Sequence, residues 1–328
     1  MSALDLPRIG MGTAPIGNLY AAMSDADAQA TLGAALDAGI RYFDSAPYYG
    51  FGVAERRLGR ALAGRADVIV STKVGRLLEP AENPARERHG FVDGDPFTPL
   101  FDYSYDAVLR SHEGSLERLK RDRIDILLAH DLGTVTHGNE ADRHMRDFVD
   151  GGYRALAELK QSGAIHAIGV GVNETAVVEQ LLERVDLDVV LIAGRYTLLD
   201  QRAADRLLPL CERKGVRVVV GGPYNSGILA QPASRRRRAT YDYADAPDEV
   251  IARAERIERI CDSHGVPLPA AALQFPLGHP AVDCVLAGLG STSEVGDAIE
   301  RLNAPIPDEL WKVLGDEGLV RQAGEVVQ

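Results

Sequence analysis

Residues 124–130 read Ile124-Asp125-Ile126-Leu127-Leu128-Ala129-His130. The run is short, almost wholly apolar, and closes on a histidine. A strand buried on both faces of a parallel sheet has this composition. The same pattern recurs at Tyr42–Asp44, Val68–Thr72, Ala167–Val170, Val189–Ala193, Arg217–Gly221 and Val282–Ala287, with a weaker first strand near Ile9–Gly12. Amphipathic segments separate these runs, at Ala54–Ala63, Tyr105–Leu119, Tyr153–Ser162, Glu174–Glu183, Ala203–Lys214, Asp248–His264 and Ser293–Arg301. An earlier one opens at Ser24-Asp25-Ala26-Asp27, a variant capping box with Asp in place of Glu, and stops at Gly39. Gly163 and Gly215 read as helix C-terminal stops. About eight strand–helix units in one compositional block predict a single (β/α)8 TIM barrel over residues 1–328. The competing doubly wound dinucleotide fold needs G-x-G-x-x-G after its first strand. Here Gly10-Met11-Gly12-Thr13-Ala14-Pro15 puts proline where the third glycine belongs.

Two connections are long, Gly75–Tyr103 with four prolines and Asp131–Gly151 with His137 and His144. Both follow strand C-termini, the face on which barrel active sites form. The chain has 328 residues, 45% of them hydrophobic, and a formal net charge of -12. That charge argues against nucleic acid or anionic membrane as partners. The one basic cluster, Arg235–Arg238, reads as a solvated segment. Three scattered cysteines without a CxxC read as reduced, buried thiols. No stretch approaches 18 apolar residues, and no basic region precedes an apolar run near Met1–Gly12, so a cytoplasmic protein is expected. Neither HExxH nor paired histidines at ligand spacing occur, so no metal is expected.

Three strands end on polar groups: Asp44, Lys73 and His130. Barrel strand ends converge on one mouth, and Lys and Asp are seldom buried unless paired. Tyr49, five residues past Asp44, reaches the same mouth from its loop. Around these four the sequence resembles the aldo-keto reductase superfamily. The segments are Asp44-Ser45-Ala46-Pro47-Tyr48-Tyr49-Gly50, Ala54-Glu55 through Leu62, Ser71-Thr72-Lys73, Ser115 to Leu119 with Asp125 to His130, and Gly163-Ala164-Ile165-His166-Ala167-Ile168-Gly169-Val170. The resemblance runs end to end. It implies a barrel that binds a nicotinamide cofactor without a Rossmann domain, with Asp44, Tyr49, Lys73 and His130 as the catalytic set. Thr13 to Tyr20, Phe101 to Tyr105 and Gly169 to Glu174 are similar to the bacterial L-fucose dehydrogenase and D-threo-aldose 1-dehydrogenase branch, which also resembles pyridoxal 4-dehydrogenase.

A phenol with an ordinary pKa of about 10 is a poor base at pH 7, and moving it to about 7 needs roughly 4 kcal/mol. An ammonium about 4 Å away supplies on the order of 4 kcal/mol at an effective dielectric of about 20. Lys73 is therefore expected to activate Tyr49, with Asp44 holding Lys73 and His130 orienting the substrate oxygen. The expected reaction is NAD-dependent oxidation of an aldose of L-fucose, L-galactose or D-arabinose type at C1 to the lactone. Pyridoxal oxidation is the alternative, and a non-catalytic cofactor-binding regulatory subunit is a third reading that the complete catalytic set argues against.

The resemblance also assigns cofactor contacts. Gly222 to Leu229 is similar to the family's pyrophosphate loop, which points to Pro223, Gly227 and Leu229. Ala287 to Glu294 is similar to the adenosine segment, which points to Gly288, Ser291 and Glu294. Asn173, displaced by one place from the usual motif, is matched to the carboxamide. Gly288 to Ile299 contains no Lys or Arg, and Glu294 would repel a 2′-phosphate, so NAD is expected over NADP. The usual sixth-strand Gln aligns with Ala193. The usual stacking aromatic aligns with Gly221, leaving Tyr196 or Tyr224 as substitutes. Tyr48, Phe51 and Asp131 neighbour the catalytic positions and are candidate substrate contacts.

Overall fold

A computed structural model describes residues 4–235, 239–242 and 244–321. Eight strands, β1 (Ile9–Gly12), β2 (Tyr42–Asp44), β3 (Ile69–Val74), β4 (Ile124–His130), β5 (Ile165–Val172), β6 (Val189–Ala193), β7 (Arg217–Gly221) and β8 (Val282–Gly288), close into one barrel. Every pairing is parallel, each strand bonds its sequence neighbour, and β8 returns to β1. Closure leaves the barrel itself with no sheet edge on which strands this apolar could pair with another chain. Tyr42, Ile126, Leu128, Leu191, Val219 and Leu286 fill the barrel interior. Outward residues such as Val70, Leu127, Val170 and Val220 pack under the helices in a separate, larger core.

The helix starts and stops follow local chemistry. Ser24 caps the helix Asp25–Asp37 by accepting from the Asp27 N–H at 3.1 Å. Gly163 and Gly215 end their helices in the left-handed conformation, at φ 80 and 67. Three strands differ from expectation: β3 starts at Ile69 and continues through Lys73 to Val74, β5 is longer at both ends than Ala167–Val170, and β8 runs one residue further, to Gly288.

Neither long connection is structureless. In the first, Arg76–Pro80 pairs antiparallel with Phe97–Phe101, and Glu87–Arg88 pairs with Phe91–Val92. The second is mostly helical, with Thr134–His137, Ala141–Asp147 and a wide turn at Phe148–Gly152 that leads into the helix Tyr153–Ser162. Ala141, Met145 and Phe148 are buried at i, i+4, i+7 spacing, so an apolar stripe drives that helix beneath its charged residues. Beyond those in the second connection, two more helices lie outside the expected set, Leu268–Gln274 and Asp308–Asp316.

Arg236–Arg238 of the basic cluster lie outside the described residues. Cys211, Cys261 and Cys284 are free and buried. Burial pushes the first two thiols up to about 12, and Cys284 higher still. Among the described residues, no helix is long and apolar enough to cross a membrane, and no group of three or more His, Cys, Asp or Glu is placed to hold a metal ion.

Candidate active site

Asp44, Lys73 and His130 stand at the C-terminal ends of the adjacent strands β2, β3 and β4. Asp44 is in register with Ser71 and Lys73 with Leu128, so Lys73 lies two residues past the partner of Asp44, and His130 two past the partner of Lys73. The Lys73 Nζ donates to Asp44 Oδ2 at 2.6 Å, to the Ser45 carbonyl at 2.8 Å and to Tyr49 Oη at 3.1 Å. All three ammonium protons thus have acceptors in a site where Lys73 is only 2% exposed. Asp44 Oδ1 accepts from Ser71 Oγ at 2.7 Å, and Ser71 also meets the Tyr42 hydroxyl at 3.0 Å. The carboxylate is held on both oxygens, which fixes Lys73 in turn. Tyr49 is placed by a tight approach of two chain segments. A Cβ at Gly50, where φ is +64, would lie 2.3 Å from the Gly17 carbonyl oxygen, so the turn after Tyr49 requires glycine.

The electrostatics differ from the expected balance. Burial raises the Tyr49 phenol to about 12; Lys73 pulls it down, and Asp44 pushes it up. Counting the ammonium without burial overstates the activation. Burial also opposes the charge on Lys73, but Asp44 and Tyr49 beside it leave its pKa raised. His130 falls well below the ordinary histidine value, through burial first, then Arg76, then Lys73. The resting site therefore holds a neutral phenol, an ammonium and a neutral imidazole.

The His130 ring stands edge-on to Tyr49 at 6.0 Å and to Tyr48 at 6.3 Å. Asp131 Oδ2 lies 3.5 Å from His130 Nε2 and accepts from Arg76. Tyr48 lies beneath the Arg76 guanidinium, which is 4.1 Å from its ring centroid. Phe51 has no exposed surface. It packs behind Tyr48 and Phe91, so it supports the wall instead of lining it. Phe91, from the first long connection, faces both Tyr48 and Tyr49. The Tyr103 hydroxyl donates to the His130 carbonyl at 2.5 Å and meets His137 Nε2 at 2.9 Å. Sequence reading missed Arg76, Phe91 and Tyr103. The first sits three residues past Lys73, a spacing that marks it as reaching the same mouth.

A second group of candidate residues lies at the ends of β5, β7 and β8. Asn173 follows β5, and its carbonyl accepts from the buried Arg195 at 2.7 Å. After β7, Asn225, Ser226 and Gly227 have φ 45, 59 and 101 in succession, and the Asn225 and Gly227 N–H groups close this turn onto the Gly222 and Tyr224 carbonyls, both at 3.0 Å. Pro223 and Leu229 are buried, and the Leu229 side chain anchors the loop in the small core formed with Leu198 and Ile257. Beyond Gly288, Ser291 caps the 12-residue helix Thr292–Asn303 by accepting from the Glu294 N–H at 3.2 Å. Glu294 Oε2 reciprocally accepts from the Gly290 N–H at 2.6 Å. Tyr224 packs beside Arg301 of the same helix, whereas Tyr196 is committed to Phe275 and His279. Ala193 and Gly221, adjacent in the barrel, present no polar side chain.

The aldo/keto reductase family model matches residues 8–315. A pyridoxal 4-dehydrogenase of Microbacterium luteolum is 45% identical over 97% of this chain and 96% of its own length. A D-threo-aldose 1-dehydrogenase of Pseudomonas sp is 39% identical, over 97% of this chain and 96% of its own. Among solved structures, the holo form of an aldo-keto reductase from Bacillus halodurans superposes with a TM-score of 0.75 at 26% identity, covering 100% of this chain and 98% of the other.

Proposed function

This chain belongs to the aldo/keto reductase family, and from that premise we propose that it is an NAD-dependent dehydrogenase that oxidises the cyclic hemiacetal carbon of an aldose to a lactone, with Tyr49 transferring the proton. The observation that carries the reading is the buried chain from Asp44 through Lys73 to the Tyr49 hydroxyl.

A nicotinamide cofactor fits the residues present. Gly227, at φ 101 in the turn after β7, allows close backbone approach, and the N-terminus of the 12-residue helix Thr292–Asn303 suits a phosphate. Pro223, Gly227 and Leu229 would hold the pyrophosphate side, and Gly288, Ser291 and Glu294 the adenosine side, with Asn173 near the nicotinamide. The cofactor supplies the hydride acceptor. NAD is favoured over NADP because no Lys or Arg occurs between Gly288 and Ile299, and Glu294 places a carboxylate at the helix start.

In the oxidative direction Tyr49 takes the hemiacetal hydroxyl proton. It acts as the phenolate, formed when the phenol first loses its own proton to solvent. Lys73 stabilises that anion, taking up the substrate proton returns Tyr49 to the neutral phenol, and Asp44 keeps Lys73 protonated and in place. His130, a neutral ring, donates to the substrate oxygen and orients it. In the reductive direction the same phenol is the acid. With Tyr49 raised to about 12, oxidation is the direction that gains from alkaline pH.

A second substrate reading rests on a specific observation. The wall of Tyr48, Tyr49 and Phe91 is aromatic, and the relative at 45% identity is a pyridoxal 4-dehydrogenase. Pyridoxal also presents a cyclic hemiacetal, so the proton and hydride chemistry would be the same. The test is an NADH-absorbance screen with L-fucose, L-galactose, D-arabinose and pyridoxal, each with NAD and with NADP. Turnover of a sugar with higher kcat/KM for NAD is expected. Turnover of pyridoxal alone would overturn the aldose reading, and higher kcat/KM with NADP would overturn the reading of Glu294.

A further inference from the structure

The mechanism above leaves Arg76 without a task. This side chain is 7% exposed. Its guanidinium lies 4.1 Å from the Tyr48 ring centroid and 5.3 Å from that of Phe101, and it donates to Asp131 Oδ2. Its Nε is buried with no partner among the described residues. Such a buried cation costs stability unless its placement returns something.

Asp131 is held from the other side as well. Its backbone is left-handed at φ 46, and its N–H donates to the Gly171 carbonyl at 2.9 Å. The carboxylate is thereby set 3.5 Å from His130 Nε2. The other ring nitrogen, Nδ1, is buried and has no hydrogen-bond partner among the described residues. An imidazole with an acceptor near one nitrogen and none near the other keeps its proton on the first.

We propose that Arg76 is a positioning residue for His130: it pins Asp131 beside Nε2 and balances its charge, so that the imidazole stays neutral with its N–H on Nε2, facing the pocket. The charged and titratable groups around that ring are Asp131 on its own loop, Arg76 from the ribbon strand Arg76–Pro80, Lys73 from β3 with Asp44 behind it, and Tyr48 and Tyr49 from the loop after β2. A lone carboxylate at this range favours imidazolium, and an imidazolium has no preferred tautomer to offer. Arg76 cancels that pull while leaving the acceptor where it is, and burial with Arg76 and Lys73 holds His130 well below its ordinary pKa. The inference rests on His130 being the residue that holds the substrate oxygen.

Nitrogen-15 NMR of the histidine rings in the full chain tests it directly. Wild type should show a neutral Nε2–H tautomer for His130 to well below the ordinary histidine midpoint. Arg76→Met should raise the His130 midpoint by at least one pH unit, with the acid limb of kcat/KM moving with it. Arg76→Lys should recover most of the shift, and adding Asp131→Asn to Arg76→Met should reverse it. An unchanged midpoint and tautomer in Arg76→Met would overturn the proposal, as would a rise that Asp131→Asn fails to reverse. If Arg76→Met does not fold, Asp131→Ala serves instead. Mixed tautomers are expected there, and a pure Nε2–H form would overturn the proposal. The ring signals do not depend on substrate, so a failed substrate screen counts against the proposed function alone.

Discussion

The two halves of the barrel mouth are built on different principles. On the side of β2, β3 and β4, the working groups are buried side chains whose charges are paired atom by atom. Lys73 spends all three protons on Asp44, Ser45 and Tyr49. On the side of β7 and β8, the candidate groups are a left-handed turn and a capped helix start, with Ser226, Gly227 and Glu294 exposed to solvent. Under the proposed function the first half would set protonation states, which needs low dielectric and particular side chains. The second would grip a ligand that brings its own charge, which needs a shaped backbone and a helix N-terminus. Substitutions on the first side should therefore change chemistry, and those on the second should change affinity.

The sharpest way to break that contrast is Tyr49→Phe. It should lower kcat for oxidation by about 10²–10⁴-fold, while NADH binding followed by fluorescence titration stays near wild type. Loss of cofactor affinity equal to the loss of rate would erase the distinction. Next in size is the pH profile. Because the phenol is pushed up to about 12, it is protonated throughout the neutral range. The oxidative kcat/KM should climb close to tenfold per pH unit over about pH 7–9 for loss of a single proton, and the reductive rate should stay nearly flat. An oxidative plateau beginning near pH 7 would mean that the bound state lowers the phenol far more than Lys73 does in the free protein.

A third test concerns the support beneath Lys73. Glu55 is fully buried, accepts from Thr72 Oγ1 at 2.6 Å and pairs with Arg118 at 2.6 Å. Glu55→Ala leaves Arg118 without its carboxylate, with only the Ser115 hydroxyl at 3.3 Å, and should cost about 3 kcal/mol by denaturant unfolding. A change below about 0.5 kcal/mol, typical of surface substitutions, would mean that β3 does not rely on this network. The smallest expected effect belongs to the other side. Ser291→Ala removes a helix cap and should cost about 1 kcal/mol of stability, raise the KM for NAD and leave kcat unchanged. A fall in kcat instead would place the adenosine-side helix in the chemistry.

That Asp44, Lys73, Tyr49 and His130 would meet was readable in the sequence because such polar strand ends restrict residue type. An Asp, a Lys and a His ending three apolar runs have few other reasons to be there, and their spacing survives folding because β2, β3 and β4 are adjacent in a closed barrel. What escaped was the effect of depth. The distance from Lys73 to Tyr49 is inferable from pattern, but the burial that outweighs it depends on Phe91, which arrives from a connection that reads as loop. The cofactor half was less legible because torsions carry it. Asn225 is a residue type that tolerates a left-handed backbone, but nothing in Ser226 announces one, and Glu294 reads equally as a cap and as a ribose contact until the Gly290 N–H is found on it. The helix Ala141–Asp147 was hidden for a third reason, since its three buried residues are outnumbered by charged neighbours.

The cysteines described with the fold have a consequence for life under oxidative stress. With Cys211 and Cys261 raised to about 12, Cys284 higher, and all three buried, there is almost no thiolate at neutral pH for peroxide or an alkylating agent to attack. A protein whose proposed task is to move reducing equivalents carries no readily oxidised sulfur of its own in these three positions. Its rate would follow the supply of cofactor in the cell and not the redox state of its own polypeptide.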